Sequence, residues 1–515
     1  MKIRHLIPLS IILTSSAYAA LIDGVVASDA GGNWSSASTW TTPDGAVPEA
    51  NDATTPYTSL TLGNGKLVID ANASTPYVNK IVAGSASEIE ITEGKTFYVK
   101  EVNETGDDFF LNGTSSAKQS LTFSGNGTLL FDTDVNTYIN YATLTLNAKT
   151  DFSGSAHQIL LKEHGKLYIN GATSNSASTS IIMTKTNSYM AISSNFTTKR
   201  VNNWGGGDVD VLAGGSLTVQ RDIYLHGGAK FNVYGTVNSN ATGYTSNDIY
   251  GYLGRADMTI GTYASHNSTL TIAKGGVMTL GTAASAQNKL GLHNAGSVVV
   301  QGSLSLAENL RMFNGSKLVM DGGTLKTNLY NTDGSVAETP KADIIICNYD
   351  ANSEKKSDYA WNTVDAEDNP LNTTVTLQVK QSGSLGTIYM TDMSGIEISG
   401  TETTNTTLTI DFASAAAGTQ FVIEDILGLF DSTSSSFARI ISLKDYIDGM
   451  LKVKTMLETY DDGSLLGMFT SDGEQLYQWT DGTISRTQIP EPATYAGILG
   501  ALAIAFAFMR RQPRK

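Results

Sequence analysis

The stretch GGVMTL at residues 275–280 decides the predicted fold, because related stretches return as AGSVVV at 295–300 and NGSKLV at 314–319. Each copy places a glycine-containing turn before residues that alternate across a strand. Glycine allows the positive φ that tight turns need, and alternation directs apolar side chains to one side. The glycines Gly276, Gly296 and Gly315 lie 20 and then 19 residues apart. This period predicts stacked coils of a parallel β-solenoid.

Earlier copies of the pattern are spaced irregularly, which predicts insertions between coils. They lie at residues 64–69, 126–131, 164–169, 214–219 and 227–233. The alternative is a row of β-sandwiches, in which turns recur roughly every 8–12 residues. The longer period favours a β-solenoid over residues 20–340.

Two tryptophans near the start of this region suggest how the solenoid begins. GNW at residues 32–34 is followed by Trp40, Pro48 and Asp52. This arrangement resembles the opening segment of autotransporter-like passenger β-helices, where it caps the first coil. An open solenoid end exposes strand edges, so a cap is physically required. The alternative interpretation is an aromatic platform that binds carbohydrate.

Composition agrees with an all-β chain. Charged residues make up 16% of the 515 residues, and glycine is frequent (50 residues) while proline is sparse (10). This excludes a typical disordered chain, and glycine, serine and asparagine disfavour helices. The net charge of −15 excludes nucleic acid as an expected partner. The single cysteine, Cys347, allows no intrachain disulfide and is expected to lie in the core.

From residue 341 the glycine turns become rarer, and residues 341–485 are predicted to form a second β-rich region. Strands are expected at 408–412 and 420–423, and a short helix at 442–450. The region is expected to be either a sandwich or a cap on the solenoid.

Residues 1–19 have the pattern of a secretory signal peptide. Two basic residues precede an apolar run that is too short to span a bilayer, and an A-x-A arrangement follows. These features are Lys2, Arg4, residues 6–13, Ala17 and Ala19. The expected partners are the Sec translocon and signal peptidase, with cleavage after Ala19.

The C-terminus combines three features in a fixed order. Pro490, Glu491 and Pro492 end a linker over residues 486–492, and proline favours an extended, accessible backbone there. Residues 493–509 are uncharged and predict a single transmembrane helix of about 26 Å. The basic residues of 510–515 are expected to remain in the cytoplasm. They are Arg510, Arg511, Arg514 and Lys515.

This order of motif, short helix and basic end resembles the PEP-CTERM sorting signal of Gram-negative bacteria. The resemblance covers about the last 26 residues. It implies export through the inner membrane, a transient anchor there, cleavage by an exosortase-type protease near Pro490–Pro492, and transfer to the cell surface or extracellular matrix. The alternative is an anchor that stays uncut.

No motif for catalysis or for a cofactor is evident, so no cofactor or metal is expected. The mature chain has five histidines, each in or near a turn without a paired acidic motif: His157, His164, His226, His266 and His293. GGGDVD at 205–210 is similar to a calcium-binding nonapeptide but occurs once, whereas such sites need tandem copies.

The sequence therefore predicts an exported surface or matrix protein with a structural or adhesive role, with extracellular polysaccharide as a further partner. The alternative is a polysaccharide lyase or hydrolase on the same scaffold, which would need acids and a basic residue on adjacent coils. An autotransporter passenger would need a C-terminal membrane barrel, which the predicted helical tail does not supply.

Mass spectrometry of the mature protein should find Ala20 or Leu21 at its N-terminus and a C-terminus near Pro490–Pro492. The reason is that both processing signals lie outside the predicted solenoid. Extracellular protein that still ends at Lys515 would contradict the sorting prediction.

Overall fold

The structure is a computed structural model in which most of the predicted solenoid is described. The described residues are 25–26, 30–40, 60–70, 77–78, 81–99, 109–131, 136–153, 157–239, 256–260, 268–281, 291–294, 296–307, 310–330, 335–346, 372–390, 405–430, 437–488, 502 and 504. Over the described ranges up to residue 488 the protein is all-β, as predicted. Short 3-10 helices occur at Ala37–Thr39 and Ser176–Ser178.

A parallel sheet of sixteen strands, here called sheet A, runs along the described chain. Its strands are Gly31–Asn33, Lys66–Ile69, Ser87–Ile91, Gln119–Ser124, Ala142–Leu146, Lys166–Ile169, Tyr189–Ile192, Asp208–Val211, Lys230–Val233, Thr269–Ile272, Ser297–Val300, Lys317–Met320, Thr373–Val379, Thr406–Asp411, Arg439–Lys444 and Met468–Thr470.

The remaining parallel strands form the other sides of the molecule. One sheet contains Tyr77–Val78, Thr96–Val99, Thr128–Phe131, Lys149–Phe152 and Thr173–Ser174, and another contains Val25–Val26, Leu60–Thr61 and Ile81–Val82. A larger group contains Phe109–Asn112, Thr137–Asn140, Gln158–Leu161, Ser180–Met183, Asn195–Asn203, Ser216–Leu225, Thr236–Ser239, Ala256–Ile260, Val277–Leu280, Gly291–Asn294, Ser303–Leu306, Leu310–Met312, Thr324–Lys326, Ile344–Ile346, Gly383–Tyr389, Phe421–Leu427 and Leu451–Val453.

The long strand Ser216–Leu225 shows that this larger group covers two sides. Its first part pairs with Thr236–Ser239, whereas Ile223–Leu225 pairs with Ala256–Ile260. We call the side that includes Thr236–Ser239 sheet B and the side that includes Ala256–Ile260 sheet C. The chain thus passes through sheets A, B and C and then returns to sheet A at Thr269–Ile272. One such passage is called a coil, and the repeated path is β-helix-like.

Inward side chains of the three sheets stack into one hydrophobic core. Phe131 packs between Phe109, with ring centroids 6.0 Å apart, and Phe152, at 5.3 Å with nearly parallel rings. All three side chains are buried. Because each coil covers the apolar face of the next, the core is continuous although no coil has a core of its own.

Trp34 and Trp40 are buried at the N-terminal end of the described core. Their rings meet edge to face at 4.8 Å, and Trp34 also contacts Phe97 at 6.4 Å. The Trp40 indole N–H donates to the Trp34 carbonyl (2.9 Å). Burial of both rings fits the predicted cap and contradicts an exposed aromatic platform at this position.

Strands of the region 341–485 pair in the same parallel sheets as those before them. Thr373–Val379 pairs with Lys317–Met320, and Arg439–Lys444 pairs with Thr406–Asp411. The short helix predicted at 442–450 is therefore wrong, because its first residues are a strand and the rest form turns. Ile441 and Leu443 alternate inward beside Leu408 and Ile410, so burial in the sheet outweighs local helical preference.

The C-terminal end of the coils is covered by the antiparallel strands Tyr477–Gln478 and Ile484–Ser485. Val453 N–H donates to the Gly482 carbonyl (2.9 Å), and the Tyr446 hydroxyl donates to the Ile484 carbonyl. This cover pairs backbone groups at a sheet edge that would otherwise be open to another chain.

The predicted processing signals lie outside the described residues. This applies to Ala17, Ala19, the motif 490–492 and the basic residues of 510–515. Of residues 493–509 only Leu502 and Ile504 are described, and both are exposed. Among the residues that the structure describes, no helix has the length and apolar character needed to cross a membrane.

Replacing Phe131 with alanine should lower the free energy of unfolding by about 3–5 kcal/mol, because it opens a cavity between stacked rings. Leu130→Ala in the same strand is the matched control, because Leu130 points outward and is half-exposed. Its expected loss is below about 1 kcal/mol. Urea denaturation followed by circular dichroism measures both, and equal losses would contradict the inward stacking.

Candidate functional site

Two successive strands of sheet C place six outward residues side by side. The parallel register aligns Arg200 with Asp222 and Asn202 with Tyr224. Trp204 and His226 follow these strands at equivalent positions, and their N–H groups still bond to the preceding coil at Met183 and Asn203. Residues two apart in a strand share a face. We call these six residues the sheet C patch: Arg200, Asn202, Trp204, Asp222, Tyr224 and His226.

The aromatic half of the patch is open to solvent. The Trp204 side chain is 63% exposed. Its ring stacks on His226 with centroids 6.0 Å apart and an interplanar angle of 22°. Tyr224, two residues before His226 on the same coil, lies 5.9 Å from it. The result is a tier of three rings whose outer member is the most exposed.

A glycine turn holds Trp204 in this position. Asn203 is buried, and its side-chain oxygen accepts from the Gly207 N–H (3.0 Å). A Cβ on Gly205 would lie 2.0 Å from the backbone of Thr184 and Lys185, so only glycine fits there. Close packing of coils thus explains the glycine run 205–207, which is similar to part of a calcium-binding nonapeptide.

The charged half of the patch is centred on Asp222, which is 5% exposed. Arg200 Nε lies 3.3 Å from one carboxylate oxygen and Arg221 Nε lies 4.0 Å from the other. Burial raises the pKa of Asp222, and the cations Arg200, Arg221 and Lys199 together with a hydrogen bond from Tyr224 only partly offset this effect. Cations therefore outnumber the single carboxylate around the patch.

Asn202 lies between the charged and aromatic halves. It is buried, and in the described part of the chain its Oδ1 has no hydrogen-bond partner. An unpaired buried acceptor costs about 1–3 kcal/mol, and such groups in a native structure call for an explanation, function being one.

His226 is neutral under ordinary conditions. Burial lowers its pKa to about 4. The imidazole can then both donate and accept hydrogen bonds, and it presents an uncharged ring to Trp204.

Other histidines that the sequence singled out lie elsewhere. His157 is buried against Phe131 and Phe152 at 5.3 and 5.4 Å, and is therefore a core residue. His164 has φ 52° in a turn and packs against Tyr141 at 5.3 Å. The side chains of His266 and His293 lie outside the described residues.

The acidic residues of the calcium-like segment 205–210 are on sheet A. Asp210 accepts hydrogen bonds from the Tyr189 hydroxyl and from Asn232, both at 2.8 Å. In the part of the chain that the structure describes, no three His, Cys, Asp or Glu residues are grouped so that they could hold a metal ion.

Sequence reasoning missed most of the patch. It considered His226 alone and did not identify Arg200, Asn202, Asp222 or Tyr224. The available signal was the offset of 22 residues between RVNNW at 200–204 and DIYLH at 222–226. That offset is about the length of one coil, but it identifies neighbouring residues only when the strand register between coils is known.

Comparison with known proteins gives no match to a family model, to a curated protein or to a solved structure.

Titration of His226 by NMR should give a pKa near 4 in the native protein, because Trp204 and the coil backbone exclude water from the ring. Trp204→Ala should raise this pKa toward the ordinary value of about 6.5. Tyr234→Ala is the matched control, since Tyr234 is also exposed but lies at another corner.

The lowered pKa of His226 also makes the free energy of unfolding depend on pH. The unfolded histidine binds a proton below about pH 6.5 while the folded one does not, so the free energy of unfolding should fall as pH decreases toward 4. A native His226 pKa at the ordinary value would contradict the burial described above.

Proposed function

We propose that this protein is an exported cell-surface or extracellular-matrix protein with a structural or adhesive role. The observation that carries the proposal is a column of outward side chains on sheet C that repeats from coil to coil. The register aligns Phe110, Tyr138, Leu160, Ile182, Asn202 and Tyr224. Successive members are about 4.8 Å apart, the spacing of neighbouring strands.

The part of the column from Phe110 to Tyr224 has aromatic groups at both of its ends, and the register continues to Thr259 on the next coil. Phe110 is 38% exposed and stacks on Tyr138 with centroids 4.8 Å apart. Lys162 Nζ lies 4.6 Å above the Tyr138 ring. The aromatic tier of Tyr224, His226 and Trp204 lies at the Tyr224 end of this part. Contacts spaced along one line suit an extended partner that binds through many weak interactions.

Polar ladders on the same scaffold support this role. Asn140 donates to Asn112 (2.7 Å), and Asn170 donates to Asn147 (2.9 Å). Amide ladders give a regular surface of donors and acceptors. Such a surface favours repeated hydrogen bonding over one deep pocket.

Export and sorting remain part of the proposal and rest on the sequence. The pattern of residues 1–19 supports secretion. The order of Pro490–Pro492, the apolar segment 493–509 and the basic residues of 510–515 supports transient anchoring and release by an exosortase-type protease.

A polysaccharide lyase or hydrolase is the second candidate. The observation that favours it is Asp222, a carboxylate with a raised pKa beside two arginines and Tyr224 on adjacent coils. One observation opposes an enzymatic role: an arginine already faces each carboxylate oxygen of Asp222.

Protease added to intact cells should digest this protein, because the proposed role requires it to lie outside the envelope. The purified full-length chain should release no products from a panel of acidic and neutral polysaccharides, measured by reducing-end assay and chromatography. A cytoplasmic protein of the same cells controls for lysis in the first measurement.

Protection of the chain in intact cells would contradict surface location. Turnover of a polysaccharide that disappears in Asp222→Asn, a substitution of equal size, would establish the enzymatic alternative instead.

A further inference from the structure

We propose that the sheet C patch binds acidic polysaccharide, with a sugar ring stacked on Trp204 and the sugar carboxylates near Arg200 and Arg221. This inference deepens the proposed function by naming the class of ligand, and it rests on the external location that the proposed function requires.

The first argument is the exposure of Trp204. A side chain of this size that is 63% exposed loses the stabilisation that burial would give. The turn nevertheless fixes it, because Asn203 is bonded to Gly207 and Gly205 packs against the preceding coil. A preorganised, exposed aromatic ring is suited to binding, since little conformational freedom is lost when a partner covers it.

The second argument is local charge. Arg200, Arg221 and Lys199 surround the single carboxylate of Asp222, and the arginine side chains are 24% and 25% exposed. At the same corner of the two preceding coils, Glu163 is already paired with Lys185 at 3.3 Å. The patch is thus locally positive on a chain whose net charge is −15. A neutral glycan would gain nothing from this charge, whereas a carboxylate-bearing glycan would.

The third argument is the hydrogen-bonding capacity of His226 and Asn202. His226 stays neutral because burial lowers its pKa, so it can exchange hydrogen bonds with hydroxyl groups. Asn202 Oδ1 is a buried acceptor that no group among the described residues satisfies. A chain of hydroxylated rings offers the donors that this part of the patch lacks.

The direction of sheet C defines how a polymer would lie. Tyr138 and Phe110 continue the outward column beyond Ile182, and Lys162 adds a cation there. A polymer that follows the column would contact both aromatic groups. Binding should therefore increase with polymer length until the polymer spans both aromatic groups.

The test measures binding of the purified full-length protein to polygalacturonate and to the methyl-esterified form of the same polymer, by biolayer interferometry. Wild-type protein should bind the acidic polymer at least about tenfold more tightly, and added salt should weaken binding because exposed charges are screened. The two polymers share one sugar backbone, and methyl esterification removes the carboxylate charge.

Trp204→Ala should weaken binding at least about tenfold, as expected for an aromatic hot spot, while Trp204→Tyr should retain most of the affinity. Arg221→Gln should weaken binding of the acidic polymer only. Tyr234→Ala and Lys274→Gln are matched controls at another corner, where both residues are exposed. Circular dichroism of each variant verifies folding.

Wild-type affinity in Trp204→Ala would overturn the proposal, as would equal affinity for the esterified polymer. DNA binding as tight as polygalacturonate binding, and insensitive to Trp204, would also overturn it, because charge alone would then explain both. These outcomes concern purified protein and leave the surface location to be decided by the protease experiment on cells.

Discussion

Parallel stacking of one coil on the next is the constraint on which this structure depends. A coil contributes three short strands whose inward residues cannot be buried by that coil alone. Phe131 is buried because Phe109 and Phe152 lie on the coils before and after it. Stability is therefore shared between neighbours along the axis, and each open end must be covered. Trp34 and Trp40 lie at one end and the hairpin of Tyr477–Gln478 and Ile484–Ser485 at the other.

The same register that aligns the core also aligns the surface. Inward and outward residues alternate, so a register that pairs Val201 with Ile223 inside must pair Asn202 with Tyr224 outside. Coil stacking thereby gathers residues that are 22 positions apart into one patch. The combination of a buried ion pair with an exposed aromatic tier arises from two coils, and neither coil carries it alone. This makes the outer surface of sheet C the basis for the proposed adhesive role.

Prediction from sequence succeeded where local pattern and tertiary environment agree. Glycine turns followed by alternating residues, as in GGVMTL at 275–280, correspond to the strand Val277–Leu280 after a turn at Gly275. It failed at 442–450, where a short helix was expected and pairing with Thr406–Asp411 imposed a strand over Arg439–Lys444 instead. The patch was not predictable, because the irregular insertions between coils conceal which residues share a register.

The sequence by itself determined an all-β chain built from short strands, because glycine-containing turns and alternating apolar residues restrict the backbone locally. It also supplied the export and sorting expectations, which depend on short linear patterns. Only the tertiary structure decided that Arg200, Asn202 and Trp204 lie beside Asp222, Tyr224 and His226. The physical reason is that register between coils is set by burial of the whole core, and no local segment contains that information.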